Sequence, residues 1–312
     1  MRRVNSMLRL SLLTLVLVAD YVVGAAASES PPNSEPANHQ DLVSAVKRLE
    51  KKLGFRRTKN FKKQSQDSAV AYRCYYTGKL ELPDSYEELQ LQEGTKEGCT
   101  VDTQKYDVFF YPMDANASGK TPMTASLAHE STERLLVVVP HEDFHASKEL
   151  RNLPASLNEA AATLAGFLTA IEVARQKFGE DSEIYRNLVH EPEIFHRKAE
   201  IINRYHARLS QLYAAVGTGK ISEGDALAQK QQAFEELREA CAAIQPDPKS
   251  FNKCLAANNN AGLAFDQTYT KYFPIMYMLF IGEGREIKPT LSALQHALNA
   301  KTESEAFENL QR

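Results

Sequence analysis

Helical periodicity runs through the second half of the chain, and this pattern constrains the fold more than any other feature. Apolar residues recur there with the spacing of amphipathic helices, interrupted by Gly and Pro residues. The turn at 217–219 contains two Gly residues and separates two long stretches, which predicts an antiparallel helix pair, and Pro274 is expected to kink or break a later helix. The predicted helices cover about 155–178, 193–216, 222–244, 262–280 and 289–299.

The region before these helices carries a different pattern. Residues 68–112 are rich in aromatic and β-branched residues, which predicts strands. A further helix is predicted to begin at Asp41 and to end at Gly54. The basic residues of this helix are most simply a solvated face, and they are Lys47, Arg48, Lys51 and Lys52. The expected fold class is therefore α+β, mainly α-helical, with a small N-terminal β portion.

The N-terminus has the layout of a secretory signal peptide, which is predicted at residues 1–27. Basic residues precede the apolar run at 10–19, and Ala25-Ala26-Ala27 offers a cleavage site. The apolar run is short for a membrane span, so a membrane tether is expected only if this segment is retained as an anchor. Residues 28–40 are polar and Pro-rich and are predicted to form a flexible tether, and residues 41–312 a single catalytic unit.

The cysteine content agrees with export. The chain has four cysteines, and an even number in an exported chain suggests disulfides. The sequence leaves three pairings open, and we favour Cys74–Cys99 with Cys241–Cys254 because each closes a local loop that contains turn residues. The expected location is therefore the periplasm or the extracellular space.

The segment His141-Glu142-Asp143-Phe144-His145 carries the clearest chemistry. Imidazoles four residues apart lie on one face of a helix, where both can bind one zinc ion, and Glu142 can then deprotonate a water molecule on that ion. The alternative is a pair of surface histidines on an amphipathic helix. The preceding apolar run at 135–139 has the length of a strand, and Pro140 suits the first position of a helix that this segment would open.

A third ligand is predicted at Glu159. Its small apolar neighbours indicate the buried face of the next helix, and a buried carboxylate needs a partner such as a cation. Two His and one Glu leave the fourth position of zinc for water, as in catalytic zinc sites. The alternative is an exposed Glu that is stabilised by the N-terminus of its helix.

Three sequence blocks together resemble a known family. The blocks are His141-Glu142-x-x-His145, then Asn158-Glu159-x-x-Ala162-Thr163, then Asn259-Asn260-Ala261-x-Leu263-Ala264 with Thr268-Tyr269 and Pro274. Over about 135–280 they are similar to the gluzincin class of zinc peptidases and, more narrowly, to the bacterial family of predicted aminopeptidases, which are exported proteins. The resemblance implies that His141, His145 and Glu159 bind zinc and that Glu142 is the general base.

The chain departs from the family pattern at three points. The spacing from His145 to Glu159 is about one residue longer than expected. Asp143 replaces an apolar residue and Phe144 replaces a small one. The extra carboxylate of Asp143 could face solvent or could alter metal affinity. The part at about 55–130 matches the family only loosely.

Three further residues of the third block are candidates for the site. Asn259 and Asn260 can hold the backbone of a peptide substrate, or they can cap the helix that follows. Tyr269 is a candidate to donate a hydrogen bond to the oxyanion of a tetrahedral intermediate. The alternative for Tyr269 is a packed core tyrosine among its aromatic neighbours.

The sequence therefore predicts an exported zinc peptidase whose partner is a peptide substrate, with aminopeptidase action implied by the family resemblance alone. The competing hypothesis is a zinc-binding or scaffold protein of the cell envelope that lacks turnover. A formal net charge of −3 gives no indication of nucleic-acid binding. The sequence does not indicate an oligomeric state.

Overall fold

The computed structural model describes residues 39–254 and 256–312, so the predicted signal peptide and nearly all of the predicted tether lie outside the described residues. The described part is mainly helical and contains a three-stranded antiparallel sheet, which confirms the predicted α+β class. The helices are α1 His39–Leu53, α2 Ala125–Ala128, α3 Thr132–Phe144, α4 Ala155–Phe178, α5 Glu183–Gly217, α6 Glu223–Ala242, α7 Asn260–Thr270, α8 Phe273–Gly282, α9 Ile287–Leu298 and α10 Glu303–Leu310. The strands are β1 Ala71–Gly78, β2 Gln90–Glu93 and β3 Tyr106–Met113.

The sheet lies in the predicted β-rich region and has the strand order β2-β1-β3. Its aromatic residues pack against α7, where the Phe265 ring lies 4.8 Å from the ring of Phe109 and 4.7 Å from that of Tyr111. A disulfide between Cys74 and Cys99 joins β1 to the loop before β3, as predicted. The sheet and α7 therefore form one packed unit beside the helical core.

The helix α3 corrects one prediction from the sequence. The run at 135–139 is helical rather than a strand, and the helix begins at Thr132, so His141 lies in its last turn instead of opening it. The Ser131 side chain caps the helix by accepting a hydrogen bond from the Arg134 backbone N–H at 3.1 Å. Burial of the leucine and valine side chains on the helix outweighs the strand preference of valine.

The helix α4 runs through the core and packs closely on α3. Most of its residues are buried, including the small residues Ala160, Ala161 and Ala162. At the contact, a Cβ atom on Gly166 would lie only 2.8 Å from the Val137 backbone oxygen and 3.3 Å from the His141 Cβ atom. Glycine at this position therefore allows the two helices to approach at the level of His141.

The remaining helices match the periodicity with three differences. The helix α5 begins ten residues before the predicted start, because Ser182 caps it and Pro192 is accommodated inside it. The short helix α2 and the helix α10 were not predicted. Pro274 lies at the start of α8, which explains the predicted break after α7, and the second predicted disulfide joins Cys241 to Cys254.

The described residues belong to one compact unit. None of the described helices combines the length and the apolar character that a membrane span requires. Two disulfides are typical of proteins that fold in an oxidising compartment.

Candidate metal centre

Three side-chain atoms from the predicted ligands converge on one point. His141 Nε2 lies 3.1 Å from Glu159 Oε2 and 3.2 Å from His145 Nε2, and His145 Nε2 lies 3.3 Å from Glu159 Oε2. Ligands bound to one tetrahedral zinc ion at its usual bond lengths are about 3.4 Å apart. Two imidazole nitrogens and one carboxylate oxygen also form a donor set that zinc accepts, so the residues fit this metal.

The helix geometry explains why these three atoms meet. His141 and His145 are one turn apart at the end of α3 and present their rings to the same side. Glu159 lies in the second turn of α4 and is only 8% exposed, which excludes the reading of an exposed Glu at a helix start. The close approach at Gly166 brings the two helices together at this level.

The electrostatics of the cluster favour a charged carboxylate. Burial alone would raise the pKa of Glu159, but the neighbouring His145 and His141 outweigh it and hold this pKa well below its usual range. Burial lowers the pKa of His145, but the charge and the hydrogen bond of Glu159 together with the charge of Glu142 outweigh burial and raise this pKa above its usual value. The cluster therefore keeps a buried anion opposite two imidazoles.

Tyr86 contacts the cluster and was not predicted from the sequence. Its hydroxyl donates a hydrogen bond of 2.8 Å to Glu159 Oε1, while the other carboxylate oxygen, Oε2, contacts both histidines. Its backbone N–H donates to the hydroxyl oxygen of Thr268 at 2.8 Å, and Thr268 belongs to the third sequence block. Burial, followed by the charge of Glu159, raises the pKa of Tyr86, so the phenol remains a donor. Outer hydrogen bonds of this kind orient metal ligands.

The cluster opens onto a cavity of about 440 Å3 that Glu142 and Tyr269 also line. Burial raises the pKa of Glu142, and the neighbouring His141 and His145 oppose this shift. The Tyr269 ring lies beside the His141 ring, with 6.3 Å between centroids and 23° between planes. Burial also raises the pKa of Tyr269 well above its usual value, so its hydroxyl remains a donor.

A smaller cavity of about 190 Å3 adjoins the first, and Tyr111, Glu142 and Tyr269 line both. Its other lining side chains are partly apolar, from Val137, Val138, Phe167, Phe195 and Phe251, and partly polar, with the ion pairs Lys198–Asp266 and Arg134–Asp114 among them. A cavity of about 150 Å3 with apolar walls can hold a benzene ring. The smaller cavity is therefore large enough for an aromatic side chain.

Asp143 does not face solvent, which excludes one of the two alternatives for its extra carboxylate. Its carboxylate is fully buried and accepts hydrogen bonds from Lys47, from Thr58 and, at 2.8 Å, from Asn60 Nδ2. These contacts join the end of α3 to α1 and to the segment that follows α1. The neighbouring Phe144 is also buried and is not part of the cavity.

Asn259 and Asn260 are not among the residues that line either cavity. Asn259 caps α7, accepting a hydrogen bond from the Gly262 N–H at 3.0 Å, and donates to the Val108 carbonyl at 2.9 Å. Asn260 is fully buried; its amide donates to the carbonyl of Glu81 at 2.8 Å and accepts from the Tyr213 hydroxyl at 2.8 Å. Both side chains join α7 to other elements, and a contact with substrate stays an untested prediction.

Comparison with known families agrees with the sequence blocks. Residues 69–310 match the model of a family described as Putative aminopeptidase. The search of curated proteins and the search of solved structures returned no match.

Proposed function

The chain belongs to the family described as Putative aminopeptidase, and on this premise we propose that it is an exported zinc-dependent peptidase of the gluzincin type. His141, His145 and Glu159 are the proposed ligands. The observation that carries the proposal is the convergence of their three donor atoms within 3.1–3.3 Å of one another. Zinc bound there would supply a Lewis acid that acidifies water and polarises a carbonyl oxygen.

The residues around the donors support peptide hydrolysis. Glu142 lines the cavity next to the first ligand, where its carboxylate can take a proton from the attacking water and return it to the leaving amine. Tyr269 lines the same cavity and has a protonated phenol, so it can donate a hydrogen bond to the developing oxyanion. These are the two proposed catalytic residues.

The two adjoining cavities support a substrate with a bulky side chain. A peptide in the larger cavity would present its scissile bond near Glu142, and a neighbouring apolar or aromatic side chain would enter the smaller cavity. Aminopeptidase action, which requires a group that recognises a free α-amine, comes from the family description. Export is supported by the layout of residues 1–27 and by the two disulfides.

A panel of peptides tests this proposal with the purified, zinc-loaded protein. Each peptide is supplied with a free and with a blocked N-terminus, and cleavage of the free form alone is the expected result. The variant Glu142→Gln should retain its zinc and lose cleavage because the proton acceptor is gone. Cleavage at the wild-type rate by Glu142→Gln would contradict the mechanism, and bound zinc without cleavage of any peptide would favour a zinc-binding protein that lacks turnover.

A further inference from the structure

A third and larger concavity reaches the end of α3 and is strongly basic. It has a volume of about 830 Å3 and is framed by α1, by the segment that follows α1, and by residues 117–119. We call it the basic groove, and the cations that line it are Lys47, Arg48, Lys51, Arg56, Arg57, Lys59 and Lys62. Seven cations at one groove contrast with the net charge of −3 of the whole chain.

The groove has little negative charge to balance these cations. Among the described residues that line the groove, Glu50 supplies the one carboxylate, and it is only 4% exposed. Burial and the adjacent Asp143 raise the pKa of Glu50 to about 9, so Glu50 is neutral near pH 7. The Asp143 carboxylate forms an ion pair with Lys47. Six of the seven cations therefore pair with no carboxylate in the part of the chain that the structure describes.

Several cations elsewhere on the described surface are paired with carboxylates, and others are not. Arg175 lies 2.7 Å from Glu172, and Lys271 lies 3.2 Å from Asp84. Within residues 39–254 and 256–312, no ion pair is formed by the side chains of Arg48, Lys51, Arg57, Lys59 or Lys62. Clustered like charges repel and destabilise the folded state. What distinguishes the groove is the clustering of its cations, and an anionic ligand bound there would relieve their repulsion.

The basic groove adjoins the larger cavity of the metal centre. Ala117 lines both concavities, and the neighbouring Asn116 and Ser118 line one each. The groove also reaches the end of α3 at Ala146, whose carbonyl accepts a hydrogen bond from Arg56 at 3.5 Å. A peptide held at the metal centre can therefore continue past residues 116–118 into the groove without leaving the protein surface.

We propose that the basic groove binds an acidic stretch of the peptide substrate, several residues away from the scissile bond. The proposal rests on the proposed peptidase function and specifies the substrate class as peptides that carry a run of Asp or Glu. A peptide is favoured over a membrane surface because the site is concave and joins the candidate catalytic cavity. The solvated face predicted on α1 is then part of a binding site.

Binding is measured first, independently of cleavage, in the full mature chain carrying Glu142→Gln. The probe is a fluorescein-labelled peptide with six consecutive Glu residues, and the matched probe has six Gln residues. The Glu probe should bind more tightly at low salt and lose this advantage near 1 M salt, where charges more than about 3 Å apart are screened. Equal binding of the two probes would overturn the proposal.

Charge reversal locates the site. The double variant Lys51→Glu with Arg57→Glu should weaken binding of the Glu probe by about tenfold or more, since it replaces two attractions by repulsions. The matched control is Lys220→Glu with Lys288→Glu, which changes the net charge equally at exposed positions outside the groove. An equal loss in both double variants would overturn the assignment to the groove.

Cleavage is then compared in the active protein. Peptides with a Glu run should have a higher kcat/KM than their Gln counterparts, and Lys51→Glu with Arg57→Glu should remove this difference while leaving a neutral dipeptide substrate unaffected. Binding of phosphatidylglycerol vesicles or inorganic phosphate without binding of the Glu probe would overturn the proposal. Selective binding of the Glu probe without cleavage of any peptide would support the groove and contradict the peptidase function.

Discussion

The variant Tyr86→Phe tests how the protein holds the carboxylate of the candidate metal centre. The Tyr86 hydroxyl donates to Glu159 Oε1 at 2.8 Å, while Oε2 faces both histidines. Removing the hydroxyl leaves Oε1 without this donor, although the carboxylate is only 8% exposed. A hydrogen bond to a charged group contributes about 1.5–3 kcal/mol, and loss of an outer partner typically weakens metal binding by about 10–100-fold.

We therefore expect Tyr86→Phe to raise the Kd for zinc by about 10–100-fold, which corresponds to about 1.4–2.7 kcal/mol. Competition with a chromophoric chelator measures this Kd, and circular dichroism checks that the fold is retained. The matched control is Tyr72→Phe, which removes an exposed hydroxyl that contacts Ser68 at 2.9 Å and does not line the cavity.

Zinc affinity of Tyr86→Phe within twofold of the wild type would refute this reasoning. In that case the hydrogen bond would not orient Glu159, or Glu159 would not be a ligand. An equal loss of affinity in Tyr72→Phe would show that the effect is not specific to the bond with Glu159.

Three further predictions follow from the packing, the buried charge and the cavities. Gly166→Ala places a methyl group 2.8 Å from the Val137 backbone oxygen, so we expect the free energy of unfolding to fall by about 1–3 kcal/mol and zinc to bind more weakly. Thermal or denaturant unfolding measures the first effect, and an unchanged Kd for zinc would contradict the role of this contact. Burial raises the pKa of Glu50 to about 9, so the folded state keeps Glu50 neutral while the unfolded state loses its proton above about pH 4.5, and the stability of the fold decreases as the pH rises from 4.5 towards 9. Glu50→Gln, which is neutral at every pH, should therefore raise Tm relative to the wild type at pH 8 and change it little at pH 4. A larger gain at pH 4 than at pH 8 would contradict the raised pKa. Val138→Phe fills the smaller cavity, so kcat/KM should fall for peptides with aromatic side chains and should stay unchanged for peptides of alanine. An equal fall in kcat/KM for both kinds of peptide would argue against a side-chain pocket.

Local rules in the sequence were enough to select His141, His145 and Glu159 as the proposed ligands, while the packing of α4 on α3 brings their side chains together. A spacing of four residues on a helix fixes the relative position of His141 and His145 in any fold. Glu159 could be predicted because an acidic residue among buried alanines needs a partner. The disulfide pairing was also predictable, since both bridges close short loops.

The features that the sequence did not reveal depend on tertiary contacts. The run at 135–139 has strand composition, and only its burial against α4 and the cap at Ser131 make it helical. Tyr86 lies 73 residues before Glu159, and nothing in its local sequence indicates the contact. Asp143 contacts Lys47 of α1 and Thr58 and Asn60 of the following segment, and the motif around Asp143 gives no sign of these distant partners.

Anomalous diffraction from crystals of the zinc-loaded protein, recorded on both sides of the zinc absorption edge, tests the central claim most directly. We expect one peak about 2.0–2.2 Å from His141 Nε2, His145 Nε2 and Glu159 Oε2, and no peak at this position in Glu159→Ala. The absence of a peak between these three atoms in the wild-type crystals, or a peak bound by other residues, would contradict the account.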